Sequence, residues 1–422
     1  MLDRDLLRHQ PETVRAGLSR KGLDGPIEAF LSLDAKWRHL RTELEGMQAR
    51  LNAASKSIGA LMAQKKLDEA NAAKAEAKAL SDQLPNLERE ARALEAELLE
   101  LELAMPNLPH PSVPDGVDET QNVVVREWGD KPAFAFEPKP HWEIAEARGM
   151  LDLPRGAKIS GSGFAVYTGA GARLQRALGA AMIDIQTARN GYHEVYPPYL
   201  VNRASLVGTG NLPKFEEDLY KADEDLYLIP TAEVPLTNLY RDEIIDGADL
   251  PVRLAGFSAC FRREAGAAGK DTRGLLRIHQ FDKVELVWFT RPEESYAALE
   301  TLLGHAEHIL QAFGLHYRVV ELCAGDLGAK GAKCYDLELW APGVGRYLEI
   351  SSCTNFEAYQ ARRANIRYRP EPGAKPEFVH ILNGSGLATP RLFAAVVETY
   401  LQPEDPRPLP DFLVPYLGPL GI

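Results

Sequence analysis

The chain has 422 residues, with 48 Lys and Arg against 60 Asp and Glu and a formal net charge of −12. That length suits two or three domains of the usual ~100–200 residues. The acidity argues against a sequence-independent coat on DNA or RNA, although a specific RNA binder needs only local basic surface. No apolar run approaches the ~20 residues of a membrane span. Asp3, Arg4 and Asp5 interrupt the N-terminal stretch, so it is not expected to be a signal peptide. Cys260, Cys323, Cys334 and Cys353 form no Cys-x-x-Cys pair. Reduced, buried thiols of a cytoplasmic protein are expected, not a structural zinc site.

In chain order, the first clear elements are two long helices. Trp37, Leu40, Leu44, Met47, Leu51, Ala54, Ile58 and Leu61 recur at alternating intervals of three and four. The same alternation runs from Ala70 through Leu80, Leu84, Leu87, Ala91, Leu94 and Leu98 to Leu101. Each is a heptad seam. The short polar break from Gln64 to Glu69 predicts antiparallel neighbours, a hairpin roughly 50 Å long from about Ile27. Pro85 removes a backbone donor inside the second helix and is expected to kink it. Residues 36–78 carry nine basic and five acidic side chains, and residues 79–105 carry two and seven. The outer arm is therefore net positive. Charged flanks are usual on a solvated coiled coil, and they also suit an arm laid along an RNA backbone.

Pro106, Pro109, Pro111 and Pro114 mark a stiff linker. The expected division is 1–105 for the arm domain, 106–120 for the linker and 121–422 for a larger body. In that body, short apolar runs such as Val123–Val125, Leu226–Ile229, Val284–Phe289, Tyr317–Leu322 and Tyr347–Ile350 alternate irregularly with helices. The helices are expected near Ala172–Asn190, Pro292–Phe313 and Pro390–Tyr400. The pattern predicts an α+β domain with an antiparallel sheet flanked by helices. No phosphate-binding G-x-x-x-x-G-K-[ST] loop is present, and the glycines at 161–163 and 169–171 lack the setting of a dinucleotide fingerprint.

Residues 255–289 are the most informative stretch. An apolar run delivers Arg262 and Glu264, a polar Gly-rich loop follows, and a second apolar run carries Arg277, Phe281 and Glu285. Strand alternation puts Arg262 with Glu264, and Phe281 with Glu285, on common faces. The reading is a hairpin with a long mobile loop and a charged, aromatic floor. Guanidinium groups there suit phosphate, and an aromatic beside them suits a stacked base. A bare Arg-x-Glu would more often be a surface ion pair.

The segment resembles the second signature of class II aminoacyl-tRNA synthetases, in the form found in seryl-tRNA synthetases. Thr231-Ala232-Glu233 resembles that family's serine-binding Thr-x-Glu. Glu349-Ile350-Ser351-Ser352 resembles its ATP and metal strand, and Asn383-Gly-Ser385-Gly-Leu-Ala-Thr-Pro-Arg391 its third signature. Gly191-Tyr-His-Glu-Val-Tyr-Pro-Pro198 is a looser match to the first. The similarity spans nearly the whole chain. The loop departs from the commoner pattern at Ala267-Ala-Gly-Lys270 and at Arg263, which puts acceptor-end contacts in doubt rather than the reaction.

The resemblance implies a homodimeric cytoplasmic ligase that joins L-serine to ATP, with Mg2+, and then to tRNA(Ser) and also tRNA(Sec), without DNA or membrane partners. Arg262, Glu264 and Arg391 would be the catalytic groups. Arg262 would grip the α-phosphate and the serine carboxylate, and Arg277 the outer phosphates. Glu264 and Arg263 would help fix ATP, Phe281 would stack on adenine, and Arg391 would cover it. Glu285 and Ser385 are assigned to the serine hydroxyl and Thr231 and Glu233 to its ammonium, with Ala232 and Asn383 completing the pocket. Asn211–Asp225 is expected to form a mobile flap over it. Glu349 and Ser352 are metal candidates beside Ile350 and Ser351. Residues three apart face opposite ways on a regular strand, so a bulge near Ser351 is required; a buried carboxylate paired with arginine remains open. Thr389 reads as a helix N-cap and Pro390 as the first helical position, with Arg391 in the first turn. Two competing readings are a synthetase paralogue that loads a carrier protein, which would need no arm, and a coiled-coil interaction protein with a degenerate enzyme body. Retention of Arg262, Glu264, Glu349 and Arg391 speaks against the second.

Overall fold

A computed structural model describes residues 1–265, 273–419 and 421–422. The loop departures at 267–270 lie outside the described residues. The rest falls into two compact units. One comprises Leu2–Arg15 and Asp24–Met105; the other comprises Met1, Ala16–Leu23 and Pro106–Ile422.

The smaller unit is built on helix α1, Ile27–Ala63, and helix α2, Leu67–Ala104, which pack along each other. At 1.5 Å per residue the first is about 55 Å long. The seam positions read from sequence are the buried or half-buried ones along both helices. Helix α2 runs through Pro85 without interruption. At the base, Asp34 is fully buried and receives Arg8 Nη2 at 2.7 Å and Arg38 Nε at 2.9 Å. Glu102, also buried, receives Arg4 Nε at 2.5 Å. The short helix Arg4–His9 starts at Asp3, whose side chain accepts from Asp5 N, a standard N-cap.

In the larger unit an eight-stranded sheet is found among the described residues. Its strands are β1 (Val123–Trp128), β2 (His193–Glu194), β3 (Val252–Phe261), β4 (Gln280–Thr290), β5 (Tyr317–Glu321), β6 (Lys333–Ala341), β7 (Arg346–Asn355) and β8 (His380–Ala388). The spatial order is β1-β5-β6-β7-β8-β4-β3-β2, antiparallel except for the last pair. Helices α3 (Gly169–Asp184), α4 (Ser295–Ala312) and α5 (Thr389–Tyr400) pack against it. Alternation in β4 sends Val284, Leu286 and Trp288 into the main apolar core, with residues of α3, α4 and α5. Val287 and Phe289 join a second core with Leu236, Ala361 and Ile381. Phe281, Lys283 and Glu285 share the side of Val287 and Phe289. The sheet thus presents polar groups in its middle while its ends are covered by apolar ones.

Two departures from the sequence reading, at Glu264 and at Thr389, have local causes. The β3–β4 ladder stops at Phe261 opposite Gln280, so Arg262 and Glu264 lie past the strand end. Glu264 takes φ +52°, in the left-handed region, and its direction comes from that turn rather than from strand alternation. Asn211–Asp225 carries a 3-10 turn, Glu216–Asp218, and the strand Lys221–Asp223, an edge of a small three-stranded sheet. Finally, Thr389 is the first residue of α5, and Ala388 occupies the N-cap without a side-chain bond. The Thr389 hydroxyl is buried and accepts from Gln175 Nε2 while donating to Asp282 O at 3.0 Å. Tying α5 to α3 and β4 has displaced the capping role.

Candidate active site

The pairing of β6 and β7 sets the key geometry. Leu337 stands opposite Ser351 and Glu338 opposite Glu349, leaving Ile350 without an opposite residue. This is the bulge that the Glu349–Ser352 spacing required. It turns both side chains to one face, while Ser351 is buried and donates to Ser385 O at 2.7 Å.

That face, with the β3–β4 hairpin and the start of α5, encloses two adjoining clefts. One, of about 270 Å³, is lined by Arg262, Glu264, Arg277, Phe281, Glu349, Ile350 and Arg391, with Leu275, Leu276 and Ile278 as apolar walls. The other, of about 320 Å³, is lined by Thr231, Glu233, Glu285, Ser352 and Asn383, with Phe215, Thr354, Phe356 and the loop Leu327–Gly331. Arg262, Lys283, Glu349 and Ser385 line both. A reacting atom at that junction would meet two cations and one carboxylate.

In the first lobe the charges are held by one another. Arg277 Nη1 donates to Glu264 Oε2 at 2.7 Å. Arg262 Nε donates to Pro230 O at 3.2 Å, and its Cζ lies 5.1 Å from the Phe281 ring centroid. Arg262 is held at its backbone too: its N–H donates to His279 O, and its carbonyl lies 2.9 Å from His279 Nδ1. Arg391 Nη1 binds the Glu349 carbonyl and lies 3.8 Å from its carboxylate. Arg391, in the first turn of α5, is also where the helix's positive end favours an anion.

The polar side chains of the second lobe, Thr231, Glu233, Glu285 and Asn383, are buried. Glu285, 2 % exposed, accepts from Thr231 Oγ1 at 2.9 Å and is in close ion-pair contact with Lys283. Burial pushes the Glu285 carboxyl up; Lys283 opposes this and the nearby charge of Glu233 adds to it. Glu233 Oε1 accepts from Gln360 Nε2 at 2.6 Å and lies 3.9 Å from Lys330 Nζ. Ser385 stands opposite Glu285 across β8 and β4. Behind Ser352, Asp336 is driven well up by burial first and then by the charge of Glu349.

Most of the residues singled out in the sequence meet here. Three do not line the two clefts: Ala232 is buried in the second core, Ser351 faces inward, and Arg263 borders a separate depression with Glu217 and Tyr220. Lys283 and the loop Leu327–Gly331 were missed. Lys283 had a signal, since it falls between Phe281 and Glu285 on the same alternating face. The loop had none beyond its glycines.

An antiparallel sheet carrying an arginine from the first hairpin, another from the helix after the last strand, and an acidic strand between them defines a class II aminoacyl-tRNA synthetase. Residues 214–400 match the family model for the tRNA synthetase class II core domain (G, H, P, S and T), and residues 1–109 match the seryl-tRNA synthetase N-terminal domain. A serine–tRNA ligase of Geobacillus kaustophilus is 54% identical over 420 residues, 99% of each chain. One of Geobacter sulfurreducens is 50% identical over 421 residues, 100% of this chain and 99% of that one. The solved seryl-tRNA synthetase of Pyrococcus horikoshii, complexed with ATP, is 38% identical with a TM-score of 0.90, covering 99% of this chain and 98% of that one. The chain belongs to the seryl-tRNA synthetase family, and it is an enzyme, a ligase that charges tRNA with serine.

Proposed function

We propose that the enzyme works in two steps through a seryl-adenylate. A serine carboxylate oxygen attacks the α-phosphorus of ATP, the bond to the β-phosphate oxygen breaks, and pyrophosphate leaves. A hydroxyl of the 3′-terminal nucleotide of tRNA(Ser) then attacks the carbonyl carbon, loses its proton, and displaces AMP. The carboxylate is already a nucleophile, so no catalytic base is needed in the first step; charge neutralisation and in-line placement carry it. The observation that carries this reading is the junction at Arg262, Lys283, Glu349 and Ser385, where a lobe lined by three arginines and an aromatic ring meets a lobe lined by Thr231, Glu233, Glu285 and Asn383.

Arg262 is assigned to the α-phosphate and the attacking carboxylate, Arg277 to the outer phosphates, Glu264 to ATP, and Phe281 and Arg391 to the two faces of adenine. In the second lobe, Glu285 and Ser385 take the serine hydroxyl and Thr231 and Glu233 its ammonium, with Asn383 beside them. Such a site rejects alanine by ~10⁴–10⁵, because its own polar groups would be left unpaired. Glu349 and Ser352 fit Mg2+: both are hard oxygen donors, on one face beside the phosphate lobe. Among the described residues no cluster of three or more His, Cys, Asp or Glu could hold a metal, which suits an ion that completes its shell with phosphate and water. Bound there, magnesium would offset phosphate charge.

The reading extends to a homodimer, to a cytoplasmic location, and to tRNA(Sec) as a second acceptor. Dimerisation is supported by the two-residue edge strand β2, His193–Glu194, within the stretch resembling the first signature. Among the described residues no helix is long and apolar enough to cross a membrane. ATP–pyrophosphate exchange across all amino acids, followed by charging of purified tRNA(Ser) and tRNA(Sec), tests the whole scheme. Exchange with threonine or alanine above that with serine would reject it. A monomeric mass at micromolar concentration with full activity would reject the dimer.

A further inference from the structure

One wall of the second lobe is the loop Leu327–Gly331. It is short and glycine-rich, and the sheet ladders leave its carbonyls without strand partners. Five successive carbonyls are nevertheless satisfied, and from two short segments distant in sequence. Lys21 Nζ donates to Gly328 O at 3.0 Å and to Gly331 O at 2.6 Å. Asn107 donates its backbone N–H to Ala329 O at 2.8 Å and its Nδ2 to Lys330 O at 2.9 Å. His110 N–H donates to Ala332 O at 2.8 Å.

Both donor side chains are deeply buried, Lys21 at 3 % exposure and Asn107 at 4 %. An ammonium in such a place is expensive. Burial lowers the Lys21 pKa to about 7, with the charge of Lys214 acting the same way. An apolar side chain of similar length would fill the space without that cost. The ammonium's two bonds go to the loop that carries Lys330, whose own charge lies 3.9 Å from Glu233 in the lobe. Serine is small, so recognition depends on walls held to within a fraction of an ångström, and a displacement of about 1 Å can cost ~10²-fold.

We propose that Lys21 and Asn107 are positioning residues for amino-acid recognition: they clamp the loop Leu327–Gly331 so that Lys330 stands against Glu233, and so set serine affinity without touching serine. The proposal rests on the serine reading of the second lobe.

The test is ATP–pyrophosphate exchange by the full-length enzyme and its Lys21→Met variant, which keeps the stem and removes the donor. KM for serine should rise about tenfold, while KM for ATP and kcat stay within about twofold. Lys21→Arg, which restores donors, should return the serine KM to within about threefold of wild type. An unchanged serine KM overturns the proposal. So does a parallel loss in serine KM, ATP KM and kcat, which marks a general structural role. If Lys21→Met does not fold, Asn107→Ala gives the same readout by removing the Nδ2 bonds to Lys330 O and to Phe356 O, which lie on the same lobe: a raised serine KM alone supports the clamp, and an unchanged one overturns it. Wild-type enzyme that exchanges with a different amino acid refutes the serine reading instead, and that amino acid's KM in Lys21→Met then still decides the clamp.

Discussion

The helical arm and the catalytic sheet obey different rules. In the arm, contacts come from one repeated spacing, and replacing one seam residue by another apolar one leaves the logic intact. In the sheet, the functional groups carried on strands depend on long-range register. Ser385 meets Glu285 because β8 pairs with β4, and Glu349 joins Ser352 because Ile350 is surplus. The arm also buries its charges only in matched sets, Asp34 with two arginines and Glu102 with Arg4. The site instead sets Glu233 close enough to Glu285 that its charge adds to burial in pushing the Glu285 carboxyl up, even with Lys283 in contact. Such a cost is normally tolerated where a ligand cation relieves it. A uniform repeat suits a shape-reading surface, and an irregular, charge-strained one suits chemistry.

This contrast can be broken by experiment. Arg262→Ala should lower serine-dependent exchange by about 10²–10³, the usual loss for a charged donor at a developing charge; exchange near the wild-type rate would remove Arg262 from the centre of the reaction. Deleting residues 36–103 with a short linker should leave exchange largely intact. Charging of tRNA should fall by about tenfold or more and lose salt sensitivity, because phosphate contacts go with the arm. Equal loss of both reactions in one preparation would show that the two regions are not separable in function.

Smaller effects sharpen it. Glu285→Gln keeps the shape but alters a charge-assisted bond, so KM for serine should rise about 10- to 100-fold with ATP binding little changed. Collapse of ATP affinity with unchanged serine use would invert the division of the two lobes. In the arm, burial favours protonation of Asp34, but the bonds from Arg8 and Arg38 outweigh it and hold its pKa below the usual value. Asp34 therefore stabilises the arm fully above the unfolded carboxyl pKa of about 3.9, and that contribution is lost as pH falls through the lower folded value. Hydrogen exchange in Ile27–Ala63 should show Asp34→Asn weaker than wild type at neutral pH, with the gap closing in acid. A gap independent of pH would exclude the ion pairs as its source.

Legibility in the sequence follows the same divide. The arm could be read because a heptad is local, and its seam falls on the buried positions from Leu40 to Leu98. The site's membership could be read because Arg262, Glu264, Glu285, Glu349 and Arg391 stand in recognisable runs. Their directions were less accessible. The left-handed turn at Glu264 has no sequence mark, since a Glu gives no hint of positive φ. Thr389 has good capping chemistry but spends its hydroxyl on tertiary bonds. Lys21, in the plain run Leu18-Ser-Arg-Lys-Gly22, cannot be told from a surface lysine until the loop more than three hundred residues later is seen above it.

The surplus residue in β7 has a consequence for how this enzyme can vary. Leu348 must stay in the apolar core and Ser352 must stay at the cleft. On an evenly pleated strand residues four apart face the same way, so those two demands conflict, and Glu349, one step from Leu348 and three from Ser352, would face away from both. Straightening the strand with Ser352 held at the cleft would drive the acid inward and expose the leucine; holding Leu348 in the core would instead bury Ser352. The aim of Glu349 is therefore a matter of parity, fixed by how many residues separate two anchors and not by which residues they are. Substitutions along this stretch can be graded in effect, whereas a one-residue insertion beside the bulge changes sides all at once.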